Sequence, residues 1–254
     1  MSSLPTHALV TGGSRGIGAA IARRLVADGW HVTVLGRSLS SVQAMAAEHP
    51  QQMHAVAAHV DDPDDVRRAF GEAQERFGPV MALVNNAGQA ESVPFAKMDL
   101  ALWQRMLAVN LTGTMLCTQQ ALPAMLEAGW GRVVNVASTA GQVGYAYVAA
   151  YCAAKHGVIG LTRALALELA TRGVTVNAVC PGYTDTDIVR SSVERVVQKT
   201  GRSAQAALAQ FVQANPQGRL VDPAEVADAV AWLCRRASGA LTGQSISISG
   251  GEVM

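Results

Sequence analysis

Two side chains near the middle of the chain are spaced to move a proton together. Tyr151 and Lys155 are four residues apart in a helical pattern, so a helix places them on one face, one turn from each other. An ammonium group near a phenol favours the phenolate and lowers the tyrosine pKa from about 10 toward neutral pH. Such a tyrosine can pass a proton to or from a substrate oxygen. Many Tyr-x-x-x-Lys pairs are ordinary helix-surface pairs, so the assignment of a catalytic role depends on the surrounding sequence.

The segment before this pair supplies a hydrogen-bonding group for the same oxygen. The apolar run 132–137 predicts a buried strand that ends at Ser138. Ser138 therefore lies at the carboxyl end of a strand, where its hydroxyl can bond a substrate oxygen. Tyr145 and Tyr147 are rivals for the proton-transfer role, but only Tyr151 is followed by a lysine one turn later.

A glycine-rich turn near the start of the chain predicts a dinucleotide site. A strand pattern over 7–10 runs into the turn, and a helical pattern follows it, an arrangement that holds a pyrophosphate on free backbone N–H groups. The spacing is Gly-x-x-x-Gly-x-Gly, and no Gly-Lys-Ser/Thr follows, which excludes an ATP-type P-loop. The alternative is a turn with a structural role only. The predicted ligands are Gly12, Ser14, Arg15, Gly16, Ile17 and Gly18.

The end of the second predicted strand, 31–35, bears on the choice of cofactor. An NAD site carries a carboxylate about 20 residues past the glycines, for the ribose 2′-hydroxyl, but this chain has Gly36 followed by Arg37. A guanidinium suits a 2′-phosphate, and Arg15 adds a second positive group. The alternative is that Arg37 is only a solvated residue at the start of a helix and binds no phosphate. We predict NADP(H) in preference to NAD(H), with Arg37 and Ser38 among its ligands.

The remaining patterns predict one α/β domain. Strands are expected at 7–10, 31–35, 53–60, 80–84, 132–137, 174–179 and 245–249, and helices at 17–26, 40–48, 62–77, 100–127, 148–171 and 223–233. Residues 183–216 are polar and amphipathic, which predicts a mobile helical lid over the site. Because no linker or repeat appears, we predict a single doubly wound Rossmann-type domain over 1–254, with a seven-stranded parallel sheet and helices on both faces.

Composition excludes several classes of protein. The 254 residues are 50% hydrophobic with a net charge of +1, so neither nucleic acid nor an anionic membrane is expected as a partner. No run approaches the ~20 apolar residues of a membrane span, and the segment MSSLPTHALVTGG lacks an export leader. Cys117, Cys152, Cys180 and Cys234 lack metal-site spacing and are predicted to be reduced thiols. We expect a soluble cytoplasmic protein without a metal.

Together these residues resemble the short-chain dehydrogenase/reductase family over nearly the whole chain. The matches are Thr11 to Gly18, Asn85-Asn86-Ala87-Gly88, Asn110, Ser138, Tyr151 with Lys155, and Pro181-Gly182 with Thr186. The resemblance implies hydride transfer between a nicotinamide and a carbonyl/secondary alcohol pair, with Tyr151 as acid/base and Ser138 orienting the substrate oxygen. It also implies that Lys155 binds the nicotinamide ribose and lowers the Tyr151 pKa, and that Asn110 holds a water of the proton relay.

The same resemblance sets the remaining expectations for the cofactor site. Beyond the glycine turn, its expected ligands are Asn86, Ala87, Gly88, Tyr151, Lys155, Pro181, Gly182, Thr184 and Thr186. The chain departs from the family where His59-Val60 replaces a common Asp-Val, so Asp61 is not assigned to adenine. Ser249-Gly250-Gly251 replaces a common Asp-Gly-Gly, with no evident consequence for chemistry. A homotetramer is implied, built through the two long helices and the last strand.

The substrate is the least determined part of the prediction. Residues 151–183 are most similar to ketoreductases of 3-oxoacyl thioesters and polyketide intermediates. Residues 183–219 carry the basic side chains Arg190, Arg195, Lys199, Arg202 and Arg219 against three acidic ones, and a basic entrance suits the phosphate of a coenzyme A or carrier-protein arm. The alternatives are solvated helix faces for these charges, a small or cyclic ketone/secondary alcohol without a carrier as substrate, and a non-catalytic dinucleotide sensor.

Overall fold

Seven parallel strands form a single sheet in the order β3-β2-β1-β4-β5-β6-β7. The computed structural model describes residues 6–254, except the side chains of Ile188 and Lys199. Two sequence predictions therefore lie partly outside the described residues. One is the expected lack of an export leader in the segment MSSLPTHALVTGG, and the other is the Lys199 charge of the predicted basic entrance. The strands are β1 (His7–Thr11), β2 (His31–Gly36), β3 (Met53–Ala57), β4 (Val80–Asn85), β5 (Gly131–Val136), β6 (Val174–Pro181) and β7 (Ser245–Ile248).

Helices connect each strand to the next. They are α1 (Gly16–Ala27), α2 (Leu39–Ala46), α3 (Pro63–Phe77), α4 (Leu100–Leu107), α5 (Gly113–Glu127), α6 (Ala149–Glu168), α7 (Asp187–Thr200), α8 (Ala204–Gln213) and α9 (Pro223–Cys234). Short 3₁₀ turns occur at Phe95–Lys97, Thr139–Gly141 and Arg236–Ser238, and a π-helical turn occurs at Ala108–Thr112. The predicted doubly wound α/β domain is confirmed.

The strand order reverses at β1, which pairs with β2 on one side and β4 on the other. Such a switch point leaves a crevice at the carboxyl ends of the strands, where ligands bind in open α/β sheets. The glycine turn, Asn86, Ser138 and Pro181 all lie at this edge, because each stands at or just past the carboxyl end of a strand.

The core lies on both faces of the sheet. On one face, Ile21 of α1 and Val230 of α9 are fully buried in one apolar cluster. On the other, Phe70 of α3 and Met125 of α5 belong to a second cluster. Burial of these apolar faces is the main favourable term for a sheet covered on both sides.

Two elements differ from the sequence prediction. Strand β3 ends at Ala57 and not at residue 60, because α3 takes over its edge: Arg68 donates to the Ala57 carbonyl at 2.7 Å, and Asp65 accepts from the His59 N–H at 2.8 Å. The single helix expected over 100–127 is α4 and α5 joined by the π-helical turn around Asn110. Such turns occur mostly as one-residue insertions in α-helices.

Residues 6–254 show neither a metal-binding cluster nor a membrane-spanning helix. All four cysteines there are free, and Cys117, Cys180 and Cys234 are buried. Within the described ranges, no cluster of three or more His, Cys, Asp or Glu side chains is arranged to hold a metal ion. In the same part of the chain, none of the helices combines the length and apolar character that crossing a membrane requires.

Acid pH is expected to destabilise the fold through His7. This side chain is 1% exposed and its ring nitrogens bond the Gly78 carbonyl at 2.8 Å and Thr33 Oγ1 at 2.9 Å. Burial lowers the His7 pKa from 6.5 to about 4. Between these values the unfolded chain binds the proton and the folded chain does not, so the free energy of unfolding falls as pH drops, by roughly 3 kcal/mol at pH 4 relative to pH 7.5.

Chemical denaturation at several pH values tests this prediction. His7→Asn should flatten the pH dependence between 6.5 and 4 relative to wild type, because the variant lacks the titrating ring. His49→Asn, at an exposed position, is the matched control and should keep the wild-type slope. Parallel curves for wild type and His7→Asn would contradict the assignment.

Candidate active site

A large cleft lies along the carboxyl edge of the sheet. Its volume is about 1190 Å³, and it runs from the glycine turn to Ser138, Tyr151 and Phe211 of α8. Pockets for one drug-sized ligand occupy roughly 300–1,000 Å³, so this cleft has room for a dinucleotide and a second substrate.

The glycine turn is shaped for close approach of a phosphate. Gly12 (φ +63°) and Gly16 (φ +52°) adopt left-handed conformations that favour glycine, and a Cβ on Gly18 would lie 2.2 Å from the Gly12 carbonyl oxygen. Arg15 precedes α1 and makes no side-chain cap, which leaves the first N–H groups of the helix available at the cleft. An anion fits this position, and Ser14 and Ile17 also line it.

The rim beside β2 is positive. Arg15 and Arg37 are exposed and line the cleft, and neither has an ion-pair partner in the described part of the chain. Gly36 ends β2 without a carboxylate. Ser38, predicted as a cofactor ligand, lines the cleft and also caps α2, since its Oγ accepts from Ser41 N at 3.4 Å. These groups fit a ribose 2′-phosphate.

The segment after β4 holds the glycine turn in place by hydrogen bonds. Asn86 donates from its side chain to the Thr11 carbonyl at 2.9 Å and the Gly12 carbonyl at 3.1 Å. The N–H of Ala87 donates to Thr11 Oγ1 at 2.9 Å. Asn86 thus fixes the shape of the turn, while Ala87 and Gly88 line the cleft beside it.

The loop after β6 closes the cleft from the opposite side. Its hydroxyls bond within the loop: Thr184 donates to the Gly182 carbonyl at 3.0 Å and Thr186 to the Thr184 carbonyl at 3.3 Å. A Cβ on Gly16 would lie 3.2 Å from Thr186 Cγ2, so the loop lies against the glycine turn. The predicted ligands Pro181, Gly182, Thr184 and Thr186 all line the cleft.

Ser138, Tyr151 and Lys155 come together as predicted. Tyr151 and Lys155 project from the first two turns of α6, and Ser138 is the second residue past β5. The Ser138 hydroxyl lies near enough to the Tyr151 phenol to stabilise the phenolate by a hydrogen bond. Lys155 is 4% exposed, and its Nζ donates to the Val136 carbonyl at 2.8 Å and lies 5.7 Å from the centre of the Tyr151 ring.

Burial, not the lysine charge, controls how this pair titrates in the chain alone. Burial raises the Tyr151 pKa to about 12, against the opposing effect of the Ser138 hydrogen bond. Burial also lowers the Lys155 pKa to about 8. The expected lowering of the Tyr151 pKa by Lys155 is therefore wrong for the structure as it stands, because a desolvated site favours the neutral form of both groups. At neutral pH Tyr151 is a protonated phenol, a proton donor.

Asn110 holds the loop that follows β4. It is fully buried, and its Nδ2 donates to the Met106 carbonyl at 2.9 Å and the Gln89 carbonyl at 3.0 Å. Its Oδ1 accepts from Gln89 N at 3.2 Å. A Cβ on Gly88 would lie 2.8 Å from Asn110 Oδ1 and 3.7 Å from Lys155 Nζ, so Asn110 borders the proton-transfer site. The bonds to Gln89 were not foreseen, since Gln89 follows the recognised motif.

The contacts among the residues at the substrate end were not predicted from the sequence, which offered Tyr145 only as a rival of Tyr151 for proton transfer. Tyr145 bonds Glu252 Oε1 and lies 3.0 Å from Thr139 Oγ1. Its ring packs edge-on against Tyr183, with centroids 6.4 Å apart, and Tyr183 packs edge-on against Phe211 at 5.0 Å. The sequence offers no signal for the bond to Glu252, because 107 residues separate the partners.

Two of the basic side chains of the predicted entrance form ion pairs with neighbouring carboxylates. Arg190 pairs with Asp185 at 3.0 Å and Asp187 at 3.5 Å. Arg219 pairs with Glu225 at 2.6 Å. These two charges are neutralised by neighbouring carboxylates, which corrects the prediction. Arg195 lines the cleft and has no ion pair among the described residues.

The fold and the arrangement of Ser138, Tyr151 and Lys155 define a nicotinamide-dependent oxidoreductase, and the chain belongs to the short-chain dehydrogenase family, whose profile matches residues 6–196. It is 38% identical over 247 residues to 3-oxoacyl-[acyl-carrier-protein] reductase of Aquifex aeolicus, covering 96% of this chain and 95% of that one. It is 38% identical over 248 residues to acetoacetyl-CoA reductase of Cupriavidus necator, covering 96% of each.

Among solved structures, the chain is similar to a variant of actinorhodin polyketide ketoreductase with NADPH. The two superimpose with a TM-score of 0.94 and are 39% identical, and the match covers 99% of each chain.

Proposed function

We propose that the protein reduces a 3-oxoacyl thioester, carried on coenzyme A or a carrier protein, to the 3-hydroxy thioester with NADPH. The observation that carries this proposal is the contact of Ser138 with Tyr151 beside the buried Lys155, at the end of a cleft with room for a dinucleotide. The similar proteins from Aquifex aeolicus and Cupriavidus necator, a 3-oxoacyl-[acyl-carrier-protein] reductase and an acetoacetyl-CoA reductase, support a thioester substrate.

The chain's own residues perform the proton half of the reaction. When bound, the nicotinamide supplies the hydride. Ser138 and Tyr151 hold the carbonyl oxygen, and their hydrogen bonds stabilise the negative charge that develops on it. Tyr151, protonated at neutral pH, gives its phenolic proton to that oxygen. Lys155 lies behind the phenol and binds the nicotinamide ribose, and Asn110 holds the water through which the proton is replaced.

Arg37 is expected to set the preference for NADPH. One guanidinium–phosphate contact contributes about 1.5–3 kcal/mol, so Arg37→Gln should raise Kd for NADPH by roughly ten- to a hundredfold and leave Kd for NADH nearly unchanged. Adding Gly36→Asp should improve NADH binding, because a carboxylate there accepts from the ribose 2′-hydroxyl. Fluorescence titration with both cofactors measures the effect.

Arg67→Gln is the matched control for Arg37, since Arg67 is exposed on α3 and pairs with Asp64 away from the cleft. It should change neither Kd. Tighter binding of NADH than of NADPH by the wild-type protein would contradict the cofactor assignment.

The carrier is tested by a substrate panel followed at 340 nm with NADPH. It compares an acetoacetyl-CoA thioester, free acetoacetate, and cyclic and aromatic ketones. We propose α7 and α8 as the lid and Arg195 as its contact with the phosphates of the carrier arm. Arg195→Gln should raise KM for acetoacetyl-CoA by roughly tenfold and leave KM for carrier-free ketones unchanged, because only the former bears phosphate.

Arg190→Gln is the control of equal charge change. Arg190 lies one turn and a half before Arg195 on α7, but it is paired with two carboxylates and does not line the cleft. It should keep the wild-type KM. Equal or faster turnover of carrier-free ketones would contradict the thioester as the substrate and would favour a small or cyclic ketone/secondary alcohol pair.

We also propose a homotetramer built through α4–α5, α6 and β7. Exposed apolar side chains on these elements and at the chain end support it, notably Leu100 (67% exposed), Leu167 (82%) and Met254 (108%). Light scattering at micromolar concentration measures the assembly, and a monomeric mass would remove the proposal.

A further inference from the structure

The last residues of the chain fold back onto the substrate end of the cleft. Gly250 (φ +62°) and Gly251 (φ +94°) turn the chain after β7. Ser249 fixes this turn, since its hydroxyl accepts from Val253 N at 3.2 Å and lies 3.3 Å from the Val253 carbonyl. Ser249 therefore fixes the turn that directs Glu252 inward.

Glu252 holds Tyr145 in one orientation. Its Oε1 accepts the Tyr145 hydroxyl proton, and its Oε2 is buried without a hydrogen-bond partner among the described residues. A Cβ on Gly182 would lie 2.6 Å from Oε2, so the carboxylate packs directly against the loop after β6. With its proton directed to Glu252, Tyr145 accepts from Thr139 Oγ1, next to Ser138 in the chain. The ring therefore has two fixed contacts and faces the cleft.

Three aromatic rings form a continuous wall from this point. Tyr145, Tyr183 and Phe211 pack edge-to-face at interplanar angles of 75° and 77°, and all three line the cleft. They come from the loop before α6, the loop after β6 and helix α8, so the wall joins the proton-transfer site to the proposed lid. Aromatic groups prefer such edge-to-face contacts with centroids 4.5–7 Å apart.

We propose that Tyr145, Tyr183 and Phe211 form a subsite for an aryl group attached to the substrate carbonyl, and that Glu252 is the positioning residue that holds this subsite. The inference rests on the proposed function and names the substituent that the reduced ketone carries. An aryl ring continues the edge-to-face series of the wall, whereas a saturated ring of similar size lacks the quadrupole that makes such contacts favourable.

The test compares matched pairs of ketones with the full chain and NADPH. One pair is the N-acetylcysteamine thioesters of 3-oxo-3-phenylpropanoate and 3-cyclohexyl-3-oxopropanoate, and the other is acetophenone and cyclohexyl methyl ketone. Because conjugation lowers the reactivity of an aryl ketone, the readout is KM. We expect KM for the phenyl member to be lower by roughly three- to tenfold in each pair. Phe211→Leu should abolish that difference, and Phe95→Leu, at a position 75% exposed and outside the cleft, should retain it.

Glu252 is tested by two substitutions. Glu252→Ala should remove the phenyl preference in KM with little change in kcat, and Glu252→Gln, which keeps an oxygen for the Tyr145 proton, should restore it. Thermal melting reports whether each variant is folded. Equal KM values within both pairs for the wild type, or an equal rise for both members in Phe211→Leu, overturn the subsite. A phenyl preference confined to carrier-free ketones, with no thioester turnover, overturns the thioester assignment and supports the subsite. No turnover of any of the four overturns both.

Discussion

Replacing Tyr151 with phenylalanine should lower kcat by roughly 10²–10⁴-fold, the contribution of a well-placed general acid, and leave Kd for NADPH within about twofold. The substitution removes one hydroxyl and keeps the ring that packs beside Lys155. Because burial keeps the phenol protonated at neutral pH, the lost group is the proton donor to the carbonyl oxygen. Steady-state rates at 340 nm and fluorescence titration of NADPH measure the two quantities.

Tyr147→Phe is the matched control for this prediction. Tyr147 is in the same segment but is 63% exposed and does not line the cleft. It should turn over substrate at the wild-type rate. A Tyr151→Phe variant that retains the wild-type rate on a good substrate would exclude the acid/base mechanism.

Gly18→Ala is expected to impair both the fold and the cofactor site. The added Cβ would lie 2.2 Å from the Gly12 carbonyl oxygen and 2.5 Å from Asn86 Nδ2, so the backbone of the glycine turn must move. Overpacking of this kind costs typically 1–3 kcal/mol of stability. Since the displaced turn is the proposed pyrophosphate site, Kd for NADPH should also rise by at least about tenfold.

Gly71→Ala provides the same chemical change in another helix. Gly71 is exposed on α3, and its added Cβ would meet nothing within 4 Å. This variant should gain about 0.5–1 kcal/mol in stability, because alanine favours the helix, and should bind NADPH as the wild type does. Denaturant melts and titration separate the two effects. Wild-type stability and affinity in Gly18→Ala would refute the role of the close approach.

The fold and the position of the site follow from local patterns in the sequence. Each apolar run predicts a strand, and the polar or glycine residue that ends it, such as Gly12 or Ser138, then lies at the carboxyl edge of a parallel sheet. The four-residue spacing of Tyr151 and Lys155 likewise fixes their common face before any tertiary contact is known.

What could not be predicted depends on contacts between distant segments. The Tyr151 pKa is set by the depth of its burial, which no spacing of residues reveals. The end of β3 is set by Arg68, which reaches the Ala57 carbonyl from the following helix. The charge of Arg190 is a different case, because Asp187 lies three residues before it on the same helix and this spacing by itself indicates an ion pair.

The π-helical turn at Ala108–Thr112 has a consequence for the length of the chain. An α-helix advances about 100° per residue, so deletion of one residue here would allow α4 and α5 to join as a regular helix but would turn Asn110 by that angle relative to one of them. Asn110 would then leave Gln89 and the neighbourhood of Lys155. Replacing side chains one at a time preserves the number of residues and cannot expose this constraint. Insertions and deletions in this segment do expose it. We expect them to impair the protein much more than substitutions at the exposed positions of the same segment.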